Sequence, residues 1–291
     1  METTNKTFKI TLISALLLIF VGFPIPGLVG TKLVEAGMLK SHWQSVVQGI
    51  IFCSLIIPTI FIIRKRIPNA FSINLGIGDL KKVIPQFMKG AAIVFVPFVL
   101  TMTLSLLMGW SDFIINFNTN VILGLLIGFL AVIIYEALPE ELLFRGYLLG
   151  ILHSKMSKWA AIITNIALFV ISPLVIVTIQ SDLLGMNINI GGADSITLGY
   201  MINMLLFACF TIFLRQISGS IWMGVGFHCF FVYQNYFIGT TEHSLFQLTS
   251  NAGGSAVQIT AIVSFLITFI IIILSSYLDR RKTQGFVQAS I

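Results

Sequence analysis

The long apolar runs of this chain constrain its fold more than any other feature. A transmembrane helix needs about 20 consecutive, predominantly apolar residues, and eight runs near that length recur along the sequence. They cover residues 10–30, 44–63, 90–109, 121–138, 159–180, 199–214, 220–238 and 256–278. We therefore predict an all-α, polytopic transmembrane helical bundle of about eight spans. It would form a single integral membrane domain over residues 1–291, located in the cell membrane.

The few charged residues agree with a membrane location. Only 10% of the residues are charged and 57% are hydrophobic, whereas a soluble domain carries about 25% charged residues. The net charge of +6 comes from residues clustered at the ends of the apolar runs. This distribution is typical of membrane topology and does not indicate nucleic-acid binding. The first predicted partner is thus the lipid bilayer.

The lysines and arginines also predict the orientation of the chain. If the N-terminus is cytoplasmic, 15 of the 17 basic residues lie on the cytoplasmic side, and only Lys32 and Lys40 face outward. Such an asymmetry follows the positive-inside rule. The first apolar run contains Pro24 and Pro26 and is long for a signal peptide, so we interpret it as a retained span. Both termini are predicted to be cytoplasmic.

The fourth apolar run ends in a charged stretch, E-A-L-P-E-E-L-L-F-R-G, from Glu136 to Gly146. Each charged residue near the middle of the bilayer costs about 2.5–3.5 kcal/mol on an insertion scale, so this stretch needs compensation. Glu141 and Arg145 are four residues apart, which predicts an ion pair on one helix face. Glu136 and Glu140 have no opposite charge at helical spacing. These two carboxylates are therefore candidates for a chemical role.

Pro139 is predicted either to kink the fourth helix or to start a new one, because proline lacks a backbone N–H. Glu140 and Glu141 point about 100° apart around a helix axis. One can therefore face Arg145 while the other faces a cavity, where it would suit general acid or base catalysis. The alternative is structural: a Glu141–Arg145 pair at the membrane interface, with Glu140 extending towards water.

His228, in the seventh run, is the only histidine in the middle of any apolar run. A lone histidine in such a place is more often a hydrogen-bonded core residue than a ligand. A glutamate and a histidine on facing helices can nevertheless polarise a water or share a metal ion. Asn235 follows seven residues later on the same helix face. His228 and Asn235 therefore join the candidate site residues.

The stretch E-E-L-L-F-R-G-Y from Glu140, followed by an intramembrane histidine, resembles the CPBP family. This family contains type II CAAX prenyl proteases, bacterial bacteriocin self-immunity proteins and lysostaphin-resistance-like proteins, and the resemblance covers about residues 121–240. It implies an intramembrane, metalloprotease-like hydrolase that cleaves a peptide bond near the cytoplasmic leaflet. The resemblance assigns activation of a water to Glu140, a supporting pair to Glu141 and Arg145, and the late-helix histidine to His228.

Two family motifs are incomplete in this chain. The family's F-x-x-x-H is represented by Phe169 followed by Pro173, and its H-x-x-x-N/D by His228 followed by Val232. A catalytic zinc site keeps three protein ligands. Glu140 and His228 are two candidate ligands for a divalent metal such as zinc, and Glu136 is a candidate third.

Two functions therefore stay open. The first is an endopeptidase acting on a peptide or membrane protein. The second is a catalytically impaired scaffold, of the bacteriocin-immunity type, that binds such a partner without cleaving it. A transporter or channel ranks last, because the charged residues cluster at one depth and do not form a relay.

Overall fold

The computed structural model describes residues 2–67, 70, 73–186, 196–239, 244–250 and 252–289. Side chains are described within these ranges except at residues 2–4, 235, 239 and 276–289. The helices are α1 (Glu2–Phe20), α2 (Pro24–Glu35), α3 (Gln44–Arg66), α4 (Val83–Leu107), α5 (Thr119–His153), α6 (Lys158–Leu183), α7 (Leu198–Ser218), α8 (Trp222–Phe237) and α9 (Gly254–Ala289). The strands are β1 (Asp112–Ile115), β2 (Ile238–Gly239) and β3 (Phe246–Ser250).

The predicted polytopic helical bundle is confirmed, and the protein is a multi-pass membrane protein. Within the described ranges, seven helical segments are long and apolar enough to cross a bilayer. They are Asn5–Glu35, Ser41–Arg66, Leu80–Leu107, Thr119–His153, Lys158–Leu183, Leu198–Ser218 and Gly254–Ser275.

The predicted seventh span is shorter than expected. It corresponds to α8, which has 16 residues and extends about 24 Å at roughly 1.5 Å per residue. The hydrocarbon core of a bilayer is about 30 Å thick. The crossing by α8 and the orientation of the termini therefore stay predictions.

The helices divide into two compact units. The first unit comprises Met1–Ile77 and Leu130–Arg215, and its core is the second half of α5. The fully buried side chains on this part of α5 include Leu143, Phe144, Arg145, Tyr147, Leu148 and Ile151.

An extended segment before α4 packs directly on α5 in the first unit. Its Ile73 and Leu75 are buried. A Cβ atom at Gly146 would lie 2.7 Å from the backbone oxygen of Leu75, and one at Gly150 would lie 2.7 Å from Cγ2 of Ile73. Only glycine allows the segment to approach α5 this closely.

The second unit comprises Gly78–Phe129 and Gln216–Ile291. Here α4 and α8 cross with their backbones in contact. A Cβ atom at Gly90 would lie 2.0 Å from the Met223 oxygen, and one at Gly226 would lie 2.0 Å from the Phe87 oxygen. Small residues allow this kind of close helix crossing within membranes.

A small sheet connects the polar loops of the second unit. Its strand order is β1-β3-β2, with β1 antiparallel and β2 parallel to β3. The side chain of Asn116 donates to the Ser244 carbonyl at 3.1 Å and extends the pairing. These strands were not predicted from the sequence, because they are only two to five residues long.

Candidate functional site

The charged stretch lies on α5, whose helical backbone continues through Pro139. A π-helical segment, Val132–Ala137, precedes the single α-turn Leu138–Glu140, and a second π-helical segment, Glu141–Leu148, follows it. The proline therefore does not start a separate helix. π-Helical turns occur frequently at functional sites.

A cysteine from α3 compensates for the missing N–H of Pro139. In the first π-segment, the Leu138 N–H donates to the Ile133 oxygen, five residues back. The next bond of this pattern would run from residue 139 to Ile134, and proline cannot form it. Instead, the Cys53 thiol donates to the Ile134 oxygen at 3.0 Å. Cys53 therefore supports the backbone of α5 at Pro139.

Glu141 and Arg145 form the predicted pair at the centre of the first unit. Both side chains are 0% exposed, and 3.6 Å separates Nε of Arg145 from Oε2 of Glu141. The guanidinium also lies 4.1 Å from the ring centroid of Phe169 and 5.9 Å from that of Phe207. Its Nη2 donates a hydrogen bond to Oγ1 of Thr211. The arginine is thus held by charge, by aromatic faces and by a hydroxyl.

Three other helices anchor the second π-segment. Asn165 of α6 donates to the Phe144 oxygen at 2.8 Å. Arg215 of α7 donates through Nε to the Arg145 oxygen at 3.3 Å. The Tyr147 hydroxyl shares a 2.9 Å hydrogen bond with Ser14 of α1. These bonds fix the backbone that carries Glu141 and Arg145.

Glu136 and Glu140 differ from Glu141 in exposure, since both are half-buried. Two tyrosines, Tyr135 of α5 and Tyr200 of α7, interact electrostatically with both carboxylates. We call these four residues the carboxylate cluster. Arg145 also interacts electrostatically with Glu140. The first unit therefore holds one buried, ion-paired glutamate beside two more accessible ones.

His228 and Asn235 lie on α8, in the second unit. His228 is buried, with 4% of its surface exposed. The neighbouring Phe227 packs on Phe231 and on Phe265 of α9. The side chain of Asn235 lies outside the described residues. The proposed catalytic roles of both residues stay predictions.

The metal ligands predicted from the sequence are not tested by the structure. Among the described residues, no group of three or more His, Cys, Asp or Glu side chains is placed to hold a metal ion. Glu140 and His228, with Glu136 as a candidate third ligand, therefore stay a prediction.

Sequence reasoning missed several residues that build this site. Asn165 and Thr211 are polar residues inside apolar runs, which is a recognisable signal because intramembrane polar groups require partners. Tyr200 lies near the start of α7, and Cys53 lies in the apolar interior of α3. Neither has a sequence feature that marks it.

The fold and these side chains are those of a multi-pass membrane protein with ionisable groups inside a helical bundle. Residues 122–233 match the family model described as type II CAAX prenyl endopeptidase Rce1-like. The resemblance predicted from the stretch beginning at Glu140 is confirmed for this part of the chain, which is similar to CAAX protease-like membrane proteins. No curated protein matches the chain, and neither does any solved structure.

Proposed function

We propose that this protein hydrolyses a peptide bond near the cytoplasmic leaflet, with Glu140 as the general base. The contrast between two adjacent glutamates carries the proposal. Glu141 is fully buried and paired with Arg145, whereas Glu140 is half-buried within the carboxylate cluster. Neighbouring carboxylates in different environments commonly take different roles in catalysis.

In the proposed reaction, the two glutamates act on a water molecule. Glu140 accepts a proton from a water molecule, and the water oxygen bonds to the carbonyl carbon of the peptide. The C–N bond then breaks, and the leaving amine takes the proton from Glu140. Glu136, four residues before Glu140, accepts the second hydrogen bond of the water.

Glu140 lies in a segment long and apolar enough to cross the bilayer, where a substrate with an apolar anchor would be concentrated. The matching family is described by its action on prenylated CAAX sequences. In such a sequence the lipid is attached to a cysteine that three further residues follow. We therefore propose a prenylated C-terminal peptide as the substrate class.

The test compares purified variants on an internally quenched peptide that ends in farnesyl-cysteine and three residues. We expect Glu140→Gln to slow cleavage by about 10²–10⁴-fold, the range for loss of general base catalysis. Glu35→Gln is a matched control, because Glu35 is 56% exposed and pairs with the nearby Lys32. This variant should cleave at the wild-type rate. Wild-type rates in Glu140→Gln would refute the proposal. His228→Ala tests the role that the family resemblance assigns to His228.

One observation favours a second function, that of a non-catalytic scaffold of the immunity-protein type. Phe169 packs on Arg145, yet the motif histidine one turn later is replaced by Pro173 within α6. The phenylalanine of the F-x-x-x-H motif is thus present and packed, whereas its histidine is absent. Under this alternative, the wild-type protein binds the farnesylated peptide without cleaving it, and Glu140→Gln binds it with unchanged affinity.

A further inference from the structure

The contacts of Arg145 define how α7 lies along α5. Arg145 donates to Thr211 of α7 and receives a hydrogen bond from Arg215 at its backbone oxygen. Its guanidinium also lies against the ring of Phe207. The stretch of α7 from residue 207 to residue 215 therefore lies level with Arg145.

The same face of α7 leads from Phe207 to Tyr200. These residues are seven apart, which is two helical turns, or about 10 Å along the axis. Counted back from Arg145 on α5, Glu140 lies about 7.5 Å away along the axis and Glu136 about 13.5 Å away, at the same rise per residue. Tyr200 thus comes level with the two carboxylates, and it interacts electrostatically with both.

The hydroxyl of Tyr200 is used differently from those of two other tyrosines. The Tyr147 hydroxyl bonds to Ser14, and the Tyr233 hydroxyl donates to the Leu125 oxygen at 2.9 Å. Within the described part of the chain, the Tyr200 hydroxyl makes no such bond; only its backbone N–H does, to Thr197. The phenol of Tyr200 is half-buried beside the carboxylates. Its O–H can therefore donate to a substrate without first losing a hydrogen bond that supports the fold.

From this placement we infer that Tyr200 is a catalytic residue, which donates a hydrogen bond to the carbonyl oxygen of the scissile peptide. The inference rests on the function proposed above. Tyr200 would supply a polar group to the site, which Pro173, at the position of the family's motif histidine, cannot supply.

The role of the hydroxyl follows from where charge develops during hydrolysis. When the water oxygen bonds to the carbonyl carbon, the C=O π-electrons move to the oxygen and Glu140 holds the proton from water. The Tyr200 O–H donates to this negative oxygen without transferring its own proton. When the C–N bond breaks, the C=O bond reforms and the amine takes the proton from Glu140.

Steady-state cleavage of the farnesylated peptide by Tyr200→Phe tests the inference. Loss of one oxyanion donor lowers kcat by about 10²–10³-fold. We expect this loss with KM within about twofold, because the donor acts mainly in the transition state. A phosphinate analogue of the tetrahedral intermediate should bind more weakly by a similar factor, whereas the product peptide should bind equally. Tyr236→Phe removes a hydroxyl from an exposed tyrosine and serves as the matched control.

The outcomes separate this inference from the proposed function. If Glu140→Gln is inactive and Tyr200→Phe cleaves like the wild type, the Tyr200 inference is overturned and the proposed function stands. If Glu140→Gln cleaves normally, both are overturned. If Tyr200→Phe loses its folded state, as judged by its Tm, the hydroxyl is structural and the catalytic assignment is overturned.

Discussion

At the scale of single residues, Arg145 shows how a charge is maintained inside this bundle. The guanidinium and the Glu141 carboxylate are fully buried, and Phe169 and Thr211 supply further contacts from neighbouring helices. Removing two charges from water is costly, and pairing repays that cost only when both partners are present. The two residues therefore depend on each other.

This dependence predicts strongly non-additive effects on stability. Arg145→Leu or Glu141→Leu alone should lower the free energy of unfolding by about 3–5 kcal/mol, because each leaves one buried charge without its partner. The double variant should lose clearly less than the sum of the two. Unfolding by SDS in mixed micelles measures all three.

The exposed pair between Lys32 and Glu35 provides the control for that cycle. Its atoms are closer, at 2.7 Å, but its side chains are 64% and 56% exposed. Lys32→Leu should therefore change the free energy of unfolding by less than about 1 kcal/mol. Additive losses at Glu141 and Arg145 would contradict the proposed coupling.

At the scale of elements, α5 is shaped by contacts that its own sequence does not contain. Cys53 covers the Ile134 oxygen that Pro139 leaves available, and Asn165 bonds to the Phe144 oxygen of the second π-segment. The extended segment before α4 fills the space beside Gly146. The helix is therefore stabilised at its irregular points by neighbouring elements.

Two glycines of α5 provide a test of this packing. A Cβ atom at Gly146 would lie 2.7 Å from the Leu75 oxygen, whereas one at Gly124 would meet nothing within 4 Å. Gly146→Ala should destabilise the protein by about 1–3 kcal/mol, because the backbone of the segment must move. Gly124→Ala should be neutral or stabilise by up to about 1 kcal/mol, through helix propensity. Thermal unfolding compares the two, and equal Tm values would contradict the packing.

At the scale of the whole molecule, the charge distribution and the helices together suggest a topology. Seven described segments are long enough to cross the bilayer, and α8 is short at 16 residues. The positive-inside rule requires α8 to cross as well, because only an even number of crossings places both termini among the cytoplasmic lysines and arginines. The side of the membrane on which the C-terminus lies therefore shows whether α8 crosses the bilayer.

Reporter fusions measure that location. Green fluorescent protein fused after residue 291 should fluoresce, and alkaline phosphatase fused at the same point should be inactive, as expected for a cytoplasmic end. Alkaline phosphatase inserted between β3 and α9 should be active. An active phosphatase at the C-terminus would show that α8 does not complete a crossing.

The sequence was sufficient to predict the helical membrane fold, because few folds are compatible with apolar runs of this length. A bilayer offers no water to backbone N–H and C=O groups, so apolar runs of this length must form helices. The Glu141–Arg145 pair was equally predictable, because both residues lie on one helix, four positions apart. The stretch from Glu140 to Tyr147 also predicted the family that residues 122–233 match.

Other features depended on contacts between residues far apart in the chain. Local spacing could not show that Cys53 supports the backbone at Pro139, or that Thr211, 66 residues away, binds Arg145. It could not show which adjacent glutamate is buried, since that depends on α6 and α7. The sequence by itself determined the helices, their membrane location and the charged stretch. Only the tertiary structure separated Glu141 from Glu140 and brought Tyr200 level with the carboxylates, because burial and approach between helices are set by packing and not by periodicity.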